Sequence, residues 1–314
     1  MPLRGFVKSR PGQRGVAVVT ALLLTTLAVT IVVSLFWQQQ VQVRSIENQR
    51  LQLQQQWVLR GALDWARLIL REDARTSSLD ALTEPWATPL APTRLDRYVE
   101  SGTVREEAGN AVLSGFIQDA QGRFNLANLV TQGEIDTAEV KAFERLLRLL
   151  KQDPELANSI ARFMAEVGRA ELNPRADTVR PMGFVQLDDL LVVPGCTPQM
   201  IRTIRPYVVI LPMNTTVNIN TASPELLAAS ISGLSLADAN QLVNSRRQAA
   251  IRDLGDLASR LSNRKLSFDR DRLGVASSFF LVSGNVTIRN ATLRIDALVE
   301  RKPNTTRVVW LREV

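Results

Sequence analysis

The chain contains no histidine. Without imidazole there is no Ser-His or Cys-His nucleophile pair, and zinc loses its usual ligand. A hydrolase would then need Ser-Lys or paired carboxylates. Beyond residue 15 the lysines are Lys141, Lys151, Lys265 and Lys302, none at a recognisable spacing from a serine. Asp188 and Asp189 are adjacent, so they point to different faces of any regular element and make a poor acid-base pair. Catalysis is therefore the weakest reading. Cys196 is the single cysteine, which excludes an intrachain disulfide. It is expected as a small buried apolar residue, with a reactive thiol as the lesser alternative. The formal net charge of +7 invites a nucleic-acid partner, but Arg4, Lys8, Arg10 and Arg14 supply four of those charges. The remaining excess is too small to predict a phosphate-binding surface.

Charge is also missing from Val16 to Trp37, VAVVTALLLTTLAVTIVVSLFW. As a helix this stretch would span roughly 33 Å, close to the ~30 Å hydrocarbon core of a bilayer. The basic run before it and the glutamines after it orient the N-terminus to the cytoplasm and the rest of the chain to the other side. A secretory signal has a shorter apolar core closed by a small-x-small cleavage site, and no such site closes this one. The junction Gln13-Arg14-Gly15, directly abutting Val16, resembles the type IV prepilin signal, in which a membrane peptidase cuts after the glycine. On this segment alone a plain signal anchor fits equally well.

Past the span, residues 38–72 have no proline and one glycine, Gly61, and apolar residues recur at helical spacing through Leu53, Trp57, Leu63, Ala66 and Leu70. The apolar helix is expected to continue as an amphipathic stem. Residues 76–93, with Pro85, Pro89 and Pro92, read as loop. Residues 111–117 read as a strand, with a turn at Asp119–Gly122. Helices are expected over 137–150, 154–167, 197–205, 237–247 and 254–261, with loop from Gly168 to Gly183. Ser223-Pro224 specifies another helix start through a capping hydroxyl and a first-turn proline. Residues 279–286, 291–301 and 306–312 are rich in Val, Ile, Thr and Leu, and read as a three-strand meander.

Five segments in order now resemble one family, the K-type minor pseudopilin of the bacterial type II secretion system (general secretion pathway protein K). They are the Gln-Arg-Gly leader end, GRFNLANL at 122–129, LDDLLVVPG at 187–195, RPYVVILP at 205–212 and VNINTASPELLA at 217–228. The resemblance implies an α+β fold: a pilin-like head, made of a long transmembrane and stem helix and a C-terminal antiparallel sheet, with a large all-α, helix-hairpin-helix-like domain inserted. The expected divisions are a prepilin leader (1–15), a transmembrane helix (16–37), a stem (38–72), the first part of the head (73–124), the inserted domain (125–270) and the terminal strands (271–314).

The resemblance further implies cleavage after Gly15 at Arg14-Gly15-Val16, with methylation of the new N-terminus. The product would be a single-pass inner-membrane protein with a periplasmic head. Its partners would be the I-type and J-type minor pseudopilins, the major pseudopilin filament, the prepilin peptidase and the inner-membrane secretion platform. Most pilins carry Glu at the fifth mature position; here that position is Thr20, as is typical of the K type. An intramembrane carboxylate is costly, so its loss fits a subunit with none above it. The chain is therefore expected to cap the filament tip and help initiate assembly.

Calcium, usual in the family's inserted domain, is not expected here. The family's acidic run corresponds to Arg162-Phe163-Met164-Ala165-Glu166, and the nearby acids are Glu166, Glu171, Asp177, Asp188 and Asp189. Calcium wants six to eight oxygens, several of them carboxylates, so these five are read as surface charges and caps and no cofactor is assigned. The rival function is a membrane-anchored helix-hairpin-helix DNA-binding protein, with Arg246, Arg247 and Arg252 on phosphates. Its hairpin has Ser232-Gly233-Leu234-Ser235 where such turns carry Gly-x-Gly, which disfavours nucleic acid.

Overall fold

The computed structural model describes residues 13–95, 111–172, 182–261 and 268–314, with side chains from Val16 onward and not at 171 and 172. The chain divides into two units, Met1–Gln56 and Trp57–Val314. In the first, the described residues belong to helix α1, Gln13–Thr76, which crosses into the second unit as one element. Every described side chain from Val16 to Arg50 is exposed. Thr20, Thr25, Thr26 and Thr30 each return the hydroxyl to a carbonyl of the preceding turn at 2.7–3.0 Å. These hydroxyls are thus satisfied within the helix, as a hydrocarbon surrounding demands.

In the second unit the last third of α1 buries Leu59, Leu63, Ala66 and Leu70, a stripe of helical period. Leu63, Ala66 and Leu70 pack with Trp86, Phe280, Val282, Ala297 and Val299 of the sheet side. That sheet contains β1 (Leu90–Arg94), β2 (Ala111–Asp119), β3 (Phe279–Ile288), β4 (Ala291–Lys302) and β5 (Thr305–Glu313). Its spatial order follows the chain, β1-β2-β3-β4-β5, and all pairs are antiparallel. The expected three-strand meander is thus the C-terminal part of a five-stranded sheet. The 76–93 loop must also be corrected, because it holds a short 3-10 turn at Pro85–Ala87 and most of β1. A strand can carry Pro92 because β1 is an edge, where a missing N–H costs no ladder bond.

Between β2 and β3 lies a helical block: α2 (Thr137–Leu149), α3 (Glu155–Leu172), α4 (Pro198–Ile204), α5 (Pro224–Ser230), α6 (Leu236–Gln248) and α7 (Leu254–Arg260). Asp136, Thr197, Ser223, Ser235 and Asp253 each accept a first-turn N–H, so five of these starts are capped as their sequence dictates. The core of the block centres on Phe124 stacked on Phe143 at 4.9 Å, with Leu146, Ile160, Ile201 and Leu227 fully buried. Helix α3 runs on to Leu172 where a loop from Gly168 was expected. Gly168 is there for close approach, since a Cβ on it would lie 3.3 Å from Gly133 Cα.

Candidate functional site

Three features of the second unit bear on function. The first is a groove of about 310 Å³ between α1 and the sheet, lined by Leu63, Ala66, Trp86, Leu90, Phe116 and Ile295 among others. Gly115 of β2 and Gly284 of β3 face each other in register within it. A Cβ on Gly115 would meet the Ser283 carbonyl oxygen at 2.6 Å, and one on Gly284 would meet Leu59 Cδ2 at 3.1 Å. On α1, Trp65 and Leu68 lie half exposed to solvent. Exposed aromatic and aliphatic side chains beside an apolar groove suit protein contact more than chemistry.

The second feature is what the asparagine motifs do. Asn125 Oδ1 accepts from Ala127 and Leu211 N–H, both at 3.1 Å, while Asn128 exchanges two hydrogen bonds with the Thr215 backbone at 2.8 and 2.9 Å. Asn220 does the same to Ile251 at 2.8 and 2.9 Å. Asn218 donates to Asp119 Oδ2, to Ser277 Oγ and to the Asp80 carbonyl. Asn125 and Asn218 sit in two-residue strands paired with Val208–Val209 and Leu273–Gly274, and these side chains supply donors and acceptors where such short pairings end, so the motifs specify the fold. Asp119 sits wholly buried among them. Burial pushes its carboxyl up, against the hydrogen bonds of Thr221, Ser277 and Gln121.

The third feature is absent from the sequence reading. Asp73 near the end of α1, with Asp80 and Glu84 of the following loop, bring one carboxylate oxygen each within 4.8 Å of the others. Arg301 of β4 reaches in, with Nη1 2.7 Å from Asp73 Oδ2 and Nη2 2.6 Å from Asp80 Oδ2. Burial, and then the charges of Glu84 and Asp80, push the Asp73 carboxyl up to about 6 despite Arg301. Three acids spaced seven and four residues apart, one at a helix end and two in the loop after it, carry no motif. Only the fold, by drawing Arg301 from 228 residues away, singles them out.

The sequence-predicted residues are dispersed. Val16 and Thr20 are exposed on α1, whereas the Arg14 side chain and the surroundings of Gly15 lie outside what is described. Glu166 is exposed. Asp188 pairs with Arg205 at 2.7 Å, and Asp189 Oδ2 accepts the N–H groups of Val185 and Gln186 at 2.8 and 2.9 Å. Slight burial raises the Asp189 carboxyl, but those backbone donors outweigh it and hold it below the usual range. Asp177 and the Glu171 side chain fall outside the described residues. Cys196 is half-buried and a free thiol that burial pushes up. The DNA reading loses its first base. Arg246 is buried and donates to the carbonyls of Ile219 and Ala222, and burial, then the charge of Arg247, lowers it to about 10.

Comparison with known proteins agrees along most of the chain. Residues 122–213 match the first-domain family model of type II secretion system protein K, and residues 217–276 match a second model of the same protein K. The type II secretion system protein K of Pseudomonas aeruginosa is 27% identical over 301 residues, covering 89% of this chain and 86% of that one. Among solved structures, a chain of the GspK-GspI-GspJ complex from the enterotoxigenic Escherichia coli type 2 secretion system superposes with a TM-score of 0.64 at 20% identity. That superposition covers 86% of this chain and 99% of that one.

Proposed function

Because this chain belongs to the protein K family of type II secretion systems, and is thus a minor pseudopilin, we propose that it caps the tip of the pseudopilus and helps initiate its assembly. The observation that carries the reading is the apolar stretch that starts directly after Gly15 and has Thr20 where an extending subunit would hold a carboxylate. An α1 long and apolar enough to cross a membrane supports anchoring. The basic residues before the span support an orientation with a cytoplasmic N-terminus and periplasmic head, as in the inner membrane. The prepilin peptidase cuts after Gly15, and the freed helix then leaves the bilayer for the filament. The E. coli relative is solved with GspI and GspJ, which supports I-type and J-type partners here, with the major pseudopilin below and the secretion platform in the membrane. The work is packing, with Glu166, Asp188 and Asp189 as surface charges and caps.

The test is N-terminal mass spectrometry of the chain from cells with and without the peptidase. The expected products start at Val16 in the first and at Met1 in the second. A chain starting at Met1 in both leaves a plain signal anchor. Gly15→Leu is expected to block processing and secretion together, and normal secretion with the leader uncut would contradict the reading. Equivalent copies stacked above and below this subunit in a fibre would refute the cap.

A further inference from the structure

We propose that Asp73, Asp80 and Glu84 bind a hard divalent cation of the calcium class where α1 ends against the sheet. One oxygen of each carboxylate is already engaged, which fixes the three groups in orientation. Asp73 Oδ2 takes Arg301, Asp80 Oδ2 takes Arg301 and the Ser277 N–H at 2.7 Å, and Glu84 Oε2 takes the Ala81 N–H at 2.7 Å and Trp86 Nε1 at 3.0 Å. The second oxygen of Asp80 is different. Asp80 is 1% exposed, and its Oδ1 is buried with no hydrogen-bond partner. A buried carboxylate oxygen without a donor is strongly unfavourable, and such groups are rare unless an ion or water meets them.

Charge points the same way. Arg301 is the one basic group with a hydrogen bond to any of the three carboxylates among the described residues, and it faces Asp73 and Asp80 with Glu84 beside them. A fourth acid, Asp119, stands behind Ser277, accepting its hydroxyl at 2.7 Å. The three carboxylates thus outnumber the one guanidinium that meets them, and a cation would balance them. The donor set is all oxygen, with no histidine in the chain, which selects calcium or magnesium over zinc. Two of the three ligands, Asp80 and Glu84, are loop-borne, which suits calcium's flexible coordination, with water filling the remaining positions beside half-buried Glu84. The bound ion would fasten the end of α1 to β4 through Arg301. It shares no residue with Glu166, Asp188 and Asp189, which are exposed or engaged in other contacts.

Trp86 gives the site its own reporter, because its indole N–H rests on a proposed ligand. The full chain, purified in detergent and stripped with chelator, is titrated with terbium under tryptophan excitation, and its Tm is followed with calcium. Expected are saturable terbium emission that calcium displaces, and a calcium-dependent rise in Tm. Glu84→Gln, which keeps an oxygen for both hydrogen bonds, is expected to weaken terbium and calcium on the order of tenfold or more through lost ligand charge. Asp80→Asn should do the same. Trp86→Phe should lose the emission and keep the calcium shift. Absence of any saturable calcium response in the unaltered chain overturns the proposal. So does a response that survives in Glu84→Gln and vanishes in Asp188→Asn.

Discussion

Asn218 and Asp119, ninety-nine positions apart, are joined by a buried 2.8 Å hydrogen bond from Nδ2 to Oδ2. Asp119 ends β2, and the same oxygen accepts Thr221 Oγ1 at 2.6 Å and Ser277 Oγ at 2.7 Å. One carboxylate therefore gathers the exit of β2, the middle of the helical block and the approach to β3. The helical block is fastened to the sheet by polar contacts at its base.

Asn218→Ala is accordingly expected to lower unfolding stability by about 2–3 kcal/mol. It strips a donor from buried Asp119 and an acceptor from the Asn220 N–H at 2.9 Å. Denaturant unfolding of the purified chain checks this. Unchanged stability would mean that water replaces the side chain freely.

Gly115→Ala and Gly284→Ala are expected to differ although the two residues face each other. The first sets a methyl against a backbone oxygen at 2.6 Å, and backbone must move, at a cost of about 1–3 kcal/mol. The second meets the end of the Leu59 side chain, which can rotate away. Paired denaturation curves should rank Gly115→Ala as the less stable.

Arg246→Ala should destabilise the fold by about 2 kcal/mol by orphaning two carbonyls, whereas Arg247→Ala, at an exposed position, should be neutral. Neither should reveal salt-dependent binding of a labelled duplex. Binding that vanished in Arg247→Ala would restore the nucleic-acid reading.

Asp256 supplies a pH test. The Arg260 side chain at 3.0 Å and then the Arg252 N–H hold its carboxyl below the ordinary 3.8, with slight burial opposing them. Its folded pKa is depressed, so its contribution is present above 3.8 and is lost as pH falls through the lower folded value. Unfolding midpoints measured from neutral pH into acid should therefore fall more steeply for the native chain than for Asp256→Asn.

The elements written in local patterns were legible from sequence: the charge-free span, the Ser223-Pro224 start, and the Val-, Ile-, Thr- and Leu-rich tail, broken between 286 and 291 and between 301 and 306. In the first break Arg289 adopts φ of 54°, the left-handed turn conformation. What escaped was non-local. Strand β1 was hidden because prolines signal loop unless the strand is known to lie at an edge. Arg246 looked like a surface base because its carbonyl partners lie 24 and 27 residues upstream. The Asp73, Asp80 and Glu84 cluster was invisible because acids are common at helix ends and in loops, and only the arrival of β4 encloses them.

The placement of the helical block between two neighbouring strands also governs timing. About 160 residues separate the end of β2 from the start of β3, yet Asp119 and Phe280 are paired. Closing such a loop carries an entropic cost of roughly 4.5 kcal/mol, which the block can reduce by condensing first. During synthesis β2 must wait, one flank bare, until the C-terminal hairpin is made. A chain cut short before residue 279 would keep its helical core and leave an unpaired apolar edge open to aggregation.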